Sequence, residues 1–153
     1  MDRIIEREIR IFLSRRILTA MDEFQRILLE NTPVYTGRTL ANFRWSVGAP
    51  TEGVRKPIMM PRLPGVTSTM SLGEEPRRAA QQALVQGEYE SVVRAPLLKM
   101  QPFQKFYLTN NVPHFSEIEY GSYGEDARTP AAGITRAGES QIRAIIRGVT
   151  RLG

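Results

Sequence analysis

The sequence predicts an α+β domain, with a long N-terminal helix and a C-terminal helix packed on a small antiparallel sheet and a Pro/Gly-rich extended arm. Three observations predict it. Ile5, Ile9, Phe12, Leu13, Ile17, Met21, Phe24 and Leu28 recur at steps of three and four, which is helical spacing. Phe43, Trp45 and Val47 alternate with Asn42, Arg44 and Ser46, the period of a half-buried strand. Ile134, Ala137, Ile142, Ile145 and Val149 then return to helical spacing at the C-terminus.

The first helix is expected to be about 27 residues long, or roughly 40 Å at 1.5 Å per residue. Asp2, Glu6 and Glu8 suit its positive end, and Asn31-Thr32-Pro33 ends it, because proline pushes the residue before it out of the α region. A helix of that length is large for a chain of 153 residues, so part of its stripe is free to face another subunit. The turn Thr36-Gly37-Arg38 leads into the strand that carries Phe43 and Trp45.

Residues 49–72 hold Pro50, Gly53, Pro57, Pro61, Pro64 and Gly65 without periodicity, and read as a variable loop or arm. Met59, Met60 and Arg62 are its candidate docking residues, since methionine adapts to irregular apolar surfaces. A second helix is expected from Glu74 to Gln86, with Ala79, Ala80, Ala83 and Leu84 as its small-residue face and Gly87 near its end. Residues 89–104 admit no single assignment. A second strand is expected from Phe103 to Thr109 with Phe106 and Leu108 on one face, then a short helical turn opened by Pro113 and closed by Gly121. Asn111 is a candidate cap for that turn through its side-chain oxygen. In the final helix, Gly138 and Gly148 weaken the pattern. One domain over residues 1–153 accounts for the length, since two would each be poorly buried.

Composition narrows the function. The chain has no cysteine, which excludes disulfides, thiolate catalysis and Cys-based zinc sites. No apolar run reaches the ~20 residues of a membrane helix, and the charged N-terminus is unlike a signal peptide, so no membrane role is expected. Net charge is +5 with a pI near 10.0, and all but Lys56, Lys99 and Lys105 of the 21 basic residues are arginine. Charge is also segregated. Arg38, Arg44, Arg55, Lys56 and Arg62 stand against Glu52 alone in residues 31–73, whereas Glu117, Glu119, Glu125 and Asp126 stand against Arg128 in residues 111–133. Blocks of opposite sign suit head-to-tail contacts between copies. They equally describe an unevenly charged solvated surface.

Catalytic constellations are sparse. His114 is the only histidine, and no G-x-S-x-G elbow accompanies it. Glu117 and Glu119 would share a face on a strand and diverge on a helix, and they read most simply as an acidic patch. Gly121-Ser122-Tyr123-Gly124 lacks the lysine and spacing of a phosphate loop. Arg15-Arg16 and Arg77-Arg78 are pairs on helices that also carry acids, and no zinc finger, ribonucleoprotein motif or basic zipper is present. No enzyme activity, cofactor or metal is expected.

Three stretches, taken in order, resemble the neck and tail-completion (head–tail joining) proteins of long-tailed, lambdoid-type bacteriophages. The first runs from Thr32 through Thr36-Gly37-Arg38 to Trp45, with Tyr35 where that family often has Asp. The second runs from Tyr107 through Asn111-Val112-Pro113 to Glu119-Tyr120-Gly121, with His114 and Phe115 in place of the usual Tyr-Ala. The third is Arg128-Thr129-Pro130-Ala131-Ala132-Gly133-Ile134-Thr135-Arg136, a lead-in to the C-terminal helix. The resemblance covers most of the chain outside residues 49–72. It implies an α+β fold and a virion protein of the neck or tail, assembled in the host cytoplasm. The implied partners are its own copies in a ring, hexameric to match tail symmetry, and other neck and tail proteins. Non-specific contact with packaged DNA is compatible with the positive charge. Two other functions fit less of the chain: a tail terminator and a small basic DNA-binding protein.

Overall fold

The computed structural model describes residues 3–32, 38–56, 74–121 and 133–150. Within these the expected α+β architecture is present. Helix α1 spans Arg3–Asn31, α2 is a single turn at Arg38–Ala41, and strand β1 is Arg44–Val47. Helix α3 is Glu74–Tyr89, continued by a π-helical stretch at Glu90–Arg94 and by α4 at Ala95–Leu98. Strand β2 is Phe106–Thr109, α5 is Phe115–Tyr120 and α6 is Ile134–Thr150. The two strands pair antiparallel, with Arg44 opposite Thr109 and Val47 opposite Phe106.

The core lies between α1, the sheet and the α3–α4 helix. Phe24 and Leu28 of α1 meet Leu40, Phe43 and Trp45, and all five pack on Val85, Tyr89, Val93 and Leu97. Phe24, Trp45 and Tyr89 form a run of edge-on and tilted rings with centroids 6.0 Å and 5.6 Å apart. Such pairs add about 0.5–1.5 kcal/mol each beyond the area they bury. The indole N–H of Trp45 donates to Oε1 of Gln25 at 2.9 Å, so this buried polar atom is satisfied from α1.

The apolar positions of α1 do not form one face. Most of their steps are four residues, so the stripe advances faster than the 3.6-residue turn and winds around the helix by roughly 140° from Ile5 to Leu28. Phe24 and Leu28 reach the core, whereas Ile5, Ile9 and Phe12 are exposed. Ser14 is the first buried residue of the helix.

The second helix departs from expectation in two ways. Its core face is Gln81, Val85 and Tyr89, while Ala79 and Ala83 are exposed and Ala80 and Leu84 only half-buried. Nor does it stop at Gly87. It runs through the ambiguous residues as far as Leu98, and the reason is Pro96. Proline has no N–H and its ring clashes with the carbonyl four residues back, a conflict relieved by a wider turn just before it. The same wide turn keeps Tyr89, Val93 and Leu97, spaced by four, on the core side, where an unbroken α-helix would rotate them away.

Helix α4 ends in a Schellman motif. The N–H of Gln101 donates to the carbonyl of Pro96 at 3.1 Å, and that of Met100 to Leu97 at 3.0 Å. The left-handed position belongs to Met100 at φ 58°, where glycine is usual.

Both strands are shorter than their alternation suggests. Phe103, expected to begin β2, is exposed in the turn before it, because β1 supplies only four partners and the ladder closes with Gly48 N–H donating to Lys105 O at 3.1 Å. Val47, expected to face inward, is exposed at that end. The outer edge of β1 is closed by a helix: the Glu88 carboxylate accepts the Trp45 N–H at 2.6 Å and pairs with Arg55.

Helix α6 lies along α1, with Ile142 against the core. Gly138 is the point of closest approach. A Cβ there would sit 2.0 Å from Cδ2 and Cε2 of Phe24, so the glycine that weakens the helix on propensity is what lets the two helices touch.

Candidate functional site

The stretches singled out in the sequence meet in space, and they meet by packing and capping. His114 Nε2 and Thr39 Oγ1 are hydrogen-bonded at 3.1 Å, and Asn110 Nδ2 donates to Thr39 O at 3.0 Å. The Phe43 and Phe115 rings are edge-on at 5.5 Å. These contacts clamp α2 and β1, from the first stretch, to the residues that open α5, from the second. Arg38 opens α2, and its carbonyl accepts Asn42 Nδ2 at 2.7 Å. Trp45 is in the core.

The second and third stretches are joined by Glu119. This residue is buried at 1% exposure on the inner side of α5. Its carboxylate accepts the backbone N–H of Thr135 at 3.2 Å to each oxygen, the N–H of Arg136 at 3.3 Å and the Thr135 hydroxyl at 2.5 Å. It therefore caps the N-terminus of α6 from a different helix, supplying acceptors and a negative charge where the helix has free N–H groups and the positive end of its dipole. Glu117, two residues earlier on α5, is exposed, so the two carboxylates do not form an acid–base pair.

Asn111 corrects the expectation placed on it. Its amide donates to the carbonyls of Thr51 at 2.9 Å and Gly53 at 3.1 Å, tying the 50–56 loop to the end of β2. The local side-chain acceptor is Asn110, whose Oδ1 takes the Val112 N–H at 3.3 Å, and no side chain caps α5. Pro113 is exposed in the turn before α5. Gly121 does end α5, at φ 89° and ψ 151°, an extended positive-φ conformation reserved to glycine rather than the left-handed helical one. The exposed Tyr120 ring carries the Arg136 guanidinium 4.8 Å from its centroid. Thr36 and Gly37, and the arm residues Met59, Met60 and Arg62, lie outside the described residues.

Among the described residues no three His, Asp or Glu side chains are grouped to hold a metal ion. A polar groove between α1 and α3, about 390 Å³, brings together Asp22, Gln25, Gln86, Tyr89, Glu90 and Arg94. Its groups are bonded to each other: Tyr89 Oη donates to Asp22 at 2.6 Å, Arg94 pairs with Asp22 and Glu90, and Gln86 bridges Gln25 and Glu90. Burial, then the Asp22 carboxylate, push the Tyr89 phenol well above its ordinary range. The arginine pairs that suggested nucleic-acid contact are partly engaged within the fold, Arg78 on the Leu29 carbonyl at 3.2 Å and Arg16 over the Phe12 ring.

What remains on the surface is apolar. Ile5, Ile9 and Phe12 are 53%, 43% and 49% exposed along the part of α1 that precedes its first buried residue. Leu98, Met100 and Phe103 form a second exposed group where α4 ends. Beside it, Ile11, Ser14, Leu18, Leu97, Leu98 and Met100 line a groove of about 300 Å³ between α1 and α4. The Ser14 hydroxyl in its wall is buried without a hydrogen-bond partner, which costs about 1–3 kcal/mol. Residue spacing alone hid this surface, because the inner and outer positions of α1 belong to the same heptad-like run. The winding of the stripe is the signal that reveals it.

No protein-family model, curated protein or solved structure matches this chain. Among the described residues no helix is long and apolar enough to cross a membrane.

Proposed function

We propose that this chain is a structural, non-enzymatic subunit of a tailed-phage virion. It assembles with its own copies into a ring at the head–tail junction or the proximal tail, in contact with other neck and tail proteins. The observation that carries this reading is the row Ile5, Ile9 and Phe12, exposed on a helix that extends past the core. Contiguous exposed apolar side chains on a small domain mark a contact surface.

Two further observations support it. The polar residues of the three phage-like stretches serve the fold: Glu119 caps α6, Asn111 holds a loop, and His114 is bonded to Thr39. The segregated charge provides the steering that subunit contacts use.

Light scattering on the full-length protein tests the reading, alone and with neck proteins added. A closed oligomer is expected in at least one condition, and phage deprived of the protein should yield heads without joined tails. A monomer at every concentration, with or without neck proteins, would overturn it, as would turnover of a substrate by that monomer.

A further inference from the structure

The two exposed apolar features of α1 lie on nearly opposite sides of one helix. At 100° per residue, the direction of Ile5, Ile9 and Phe12 and that of Ile11, Ser14 and Leu18 differ by roughly 150°. One is convex, a row of side chains standing clear of the domain. The other is concave, the groove closed on its far side by Leu97, Leu98 and Met100. We infer that the stripe of one copy docks in the α1–α4 groove of the next, so that the occupant of the groove is a second copy of this chain. This rests on the self-assembly proposed above and names the surfaces that carry it.

Shape and charge both favour that occupant. An amphipathic helix laid in an apolar groove is a recurrent recognition mode, read through anchors at i, i+4 and i+7, and Ile5, Ile9 and Phe12 have that spacing. The stripe is flanked by Glu6 and Glu8, one on each side, while the groove is bordered by Arg15 and Lys99. Acidic flanks thus meet basic borders, and a stripe-to-stripe pairing would lack that complement. The Schellman turn with Met100 in the left-handed conformation sets the shape of the groove rim and holds Leu98 and Met100 exposed there. Because stripe and groove differ and point apart, the contact is heterologous. Repeating it adds subunits in one rotational sense and leaves no unpaired end once a ring closes.

The natural absence of cysteine makes the test direct. Full-length Phe12→Cys and Leu98→Cys proteins are prepared separately, then oxidised alone and as an equimolar mixture, and disulfide-linked dimers are counted. The mixture is expected to yield at least tenfold more linked dimer than either protein alone. A dominant Phe12→Cys homodimer overturns the proposal in favour of symmetric stripe pairing. No linkage in the mixture, with an oligomeric wild type, overturns the proposed surfaces and leaves the ring reading standing. A wild type that stays monomeric with neck proteins present overturns both. Ile9→Asp supplies the second measurement. It should shift the oligomer to monomer with an unchanged circular dichroism spectrum and melting temperature, and an oligomer that persists in Ile9→Asp overturns the docking.

Discussion

The carboxylate of Glu119, on α5, accepts both the backbone N–H and the hydroxyl of Thr135, on α6, across 16 residues of chain. A helix is normally capped by its own neighbouring sequence, and here the cap arrives from another helix. That bond joins the acidic end of the second phage-like stretch to the end of the third, and it places α6 on α1.

Glu119→Ala should therefore destabilise the protein by about 2–3 kcal/mol, since it removes charge-assisted bonds and leaves N–H groups unpaired in a buried place. Glu119→Gln keeps the shape and loses the charge, and should cost about half as much. Urea unfolding followed by circular dichroism measures both. Equal stability of all three proteins would refute the capping role.

Gly138→Ala should lower stability by about 1–3 kcal/mol despite alanine's better helix propensity, because its Cβ would overlap the Phe24 ring. Phe24→Leu in the Gly138→Ala background should be less costly than Phe24→Leu alone. A double-mutant cycle from thermal melts gives the coupling, and additive effects would show that the helices do not meet there.

Met100→Gly should raise stability by about 0.5–1 kcal/mol, as glycine fills the left-handed position of a Schellman turn without steric penalty. The gain is read from the shift in urea midpoint at unchanged slope. A loss would mean that the methionine side chain contributes more by packing than its backbone conformation costs.

Tyr89→Phe should alter the response to alkali. Because the folded protein raises the phenol above its ordinary value of 10.0, Tyr89 contributes stability that is complete below pH 10 and declines as the pH rises above that value. The variant should lose about 1 kcal/mol near neutral pH with the Asp22 bond, and then show a shallower decline of melting temperature above pH 10. Parallel alkaline limbs in the two proteins would show that Tyr89 does not sense its surroundings this way.

Much of the fold was legible from local pattern. The span of α1, its end before Pro33, the pairing of a Trp45 strand with a Leu108 strand and the helix from Ile134 all follow from period and turn chemistry. The passage from Tyr89 to Leu98 was not, because a proline that usually ends a helix is absorbed by a π turn, and that outcome depends on a core wanting Val93 and Leu97 on one side. Asn111 and Asn110 exchanged expected roles for a similar reason, since which of two adjacent amides reaches a partner depends on where the 50–56 loop lies.

By itself, then, the sequence determined the kind of elements and most of their limits, for these depend on side chains a few residues apart. Only the tertiary structure decided which turn of the α1 stripe is covered, that Gly138 is a contact and not a flaw, and that Glu119 is a cap and not an acidic patch. Each of those depends on the distance between residues far apart in the chain, which periodicity does not encode.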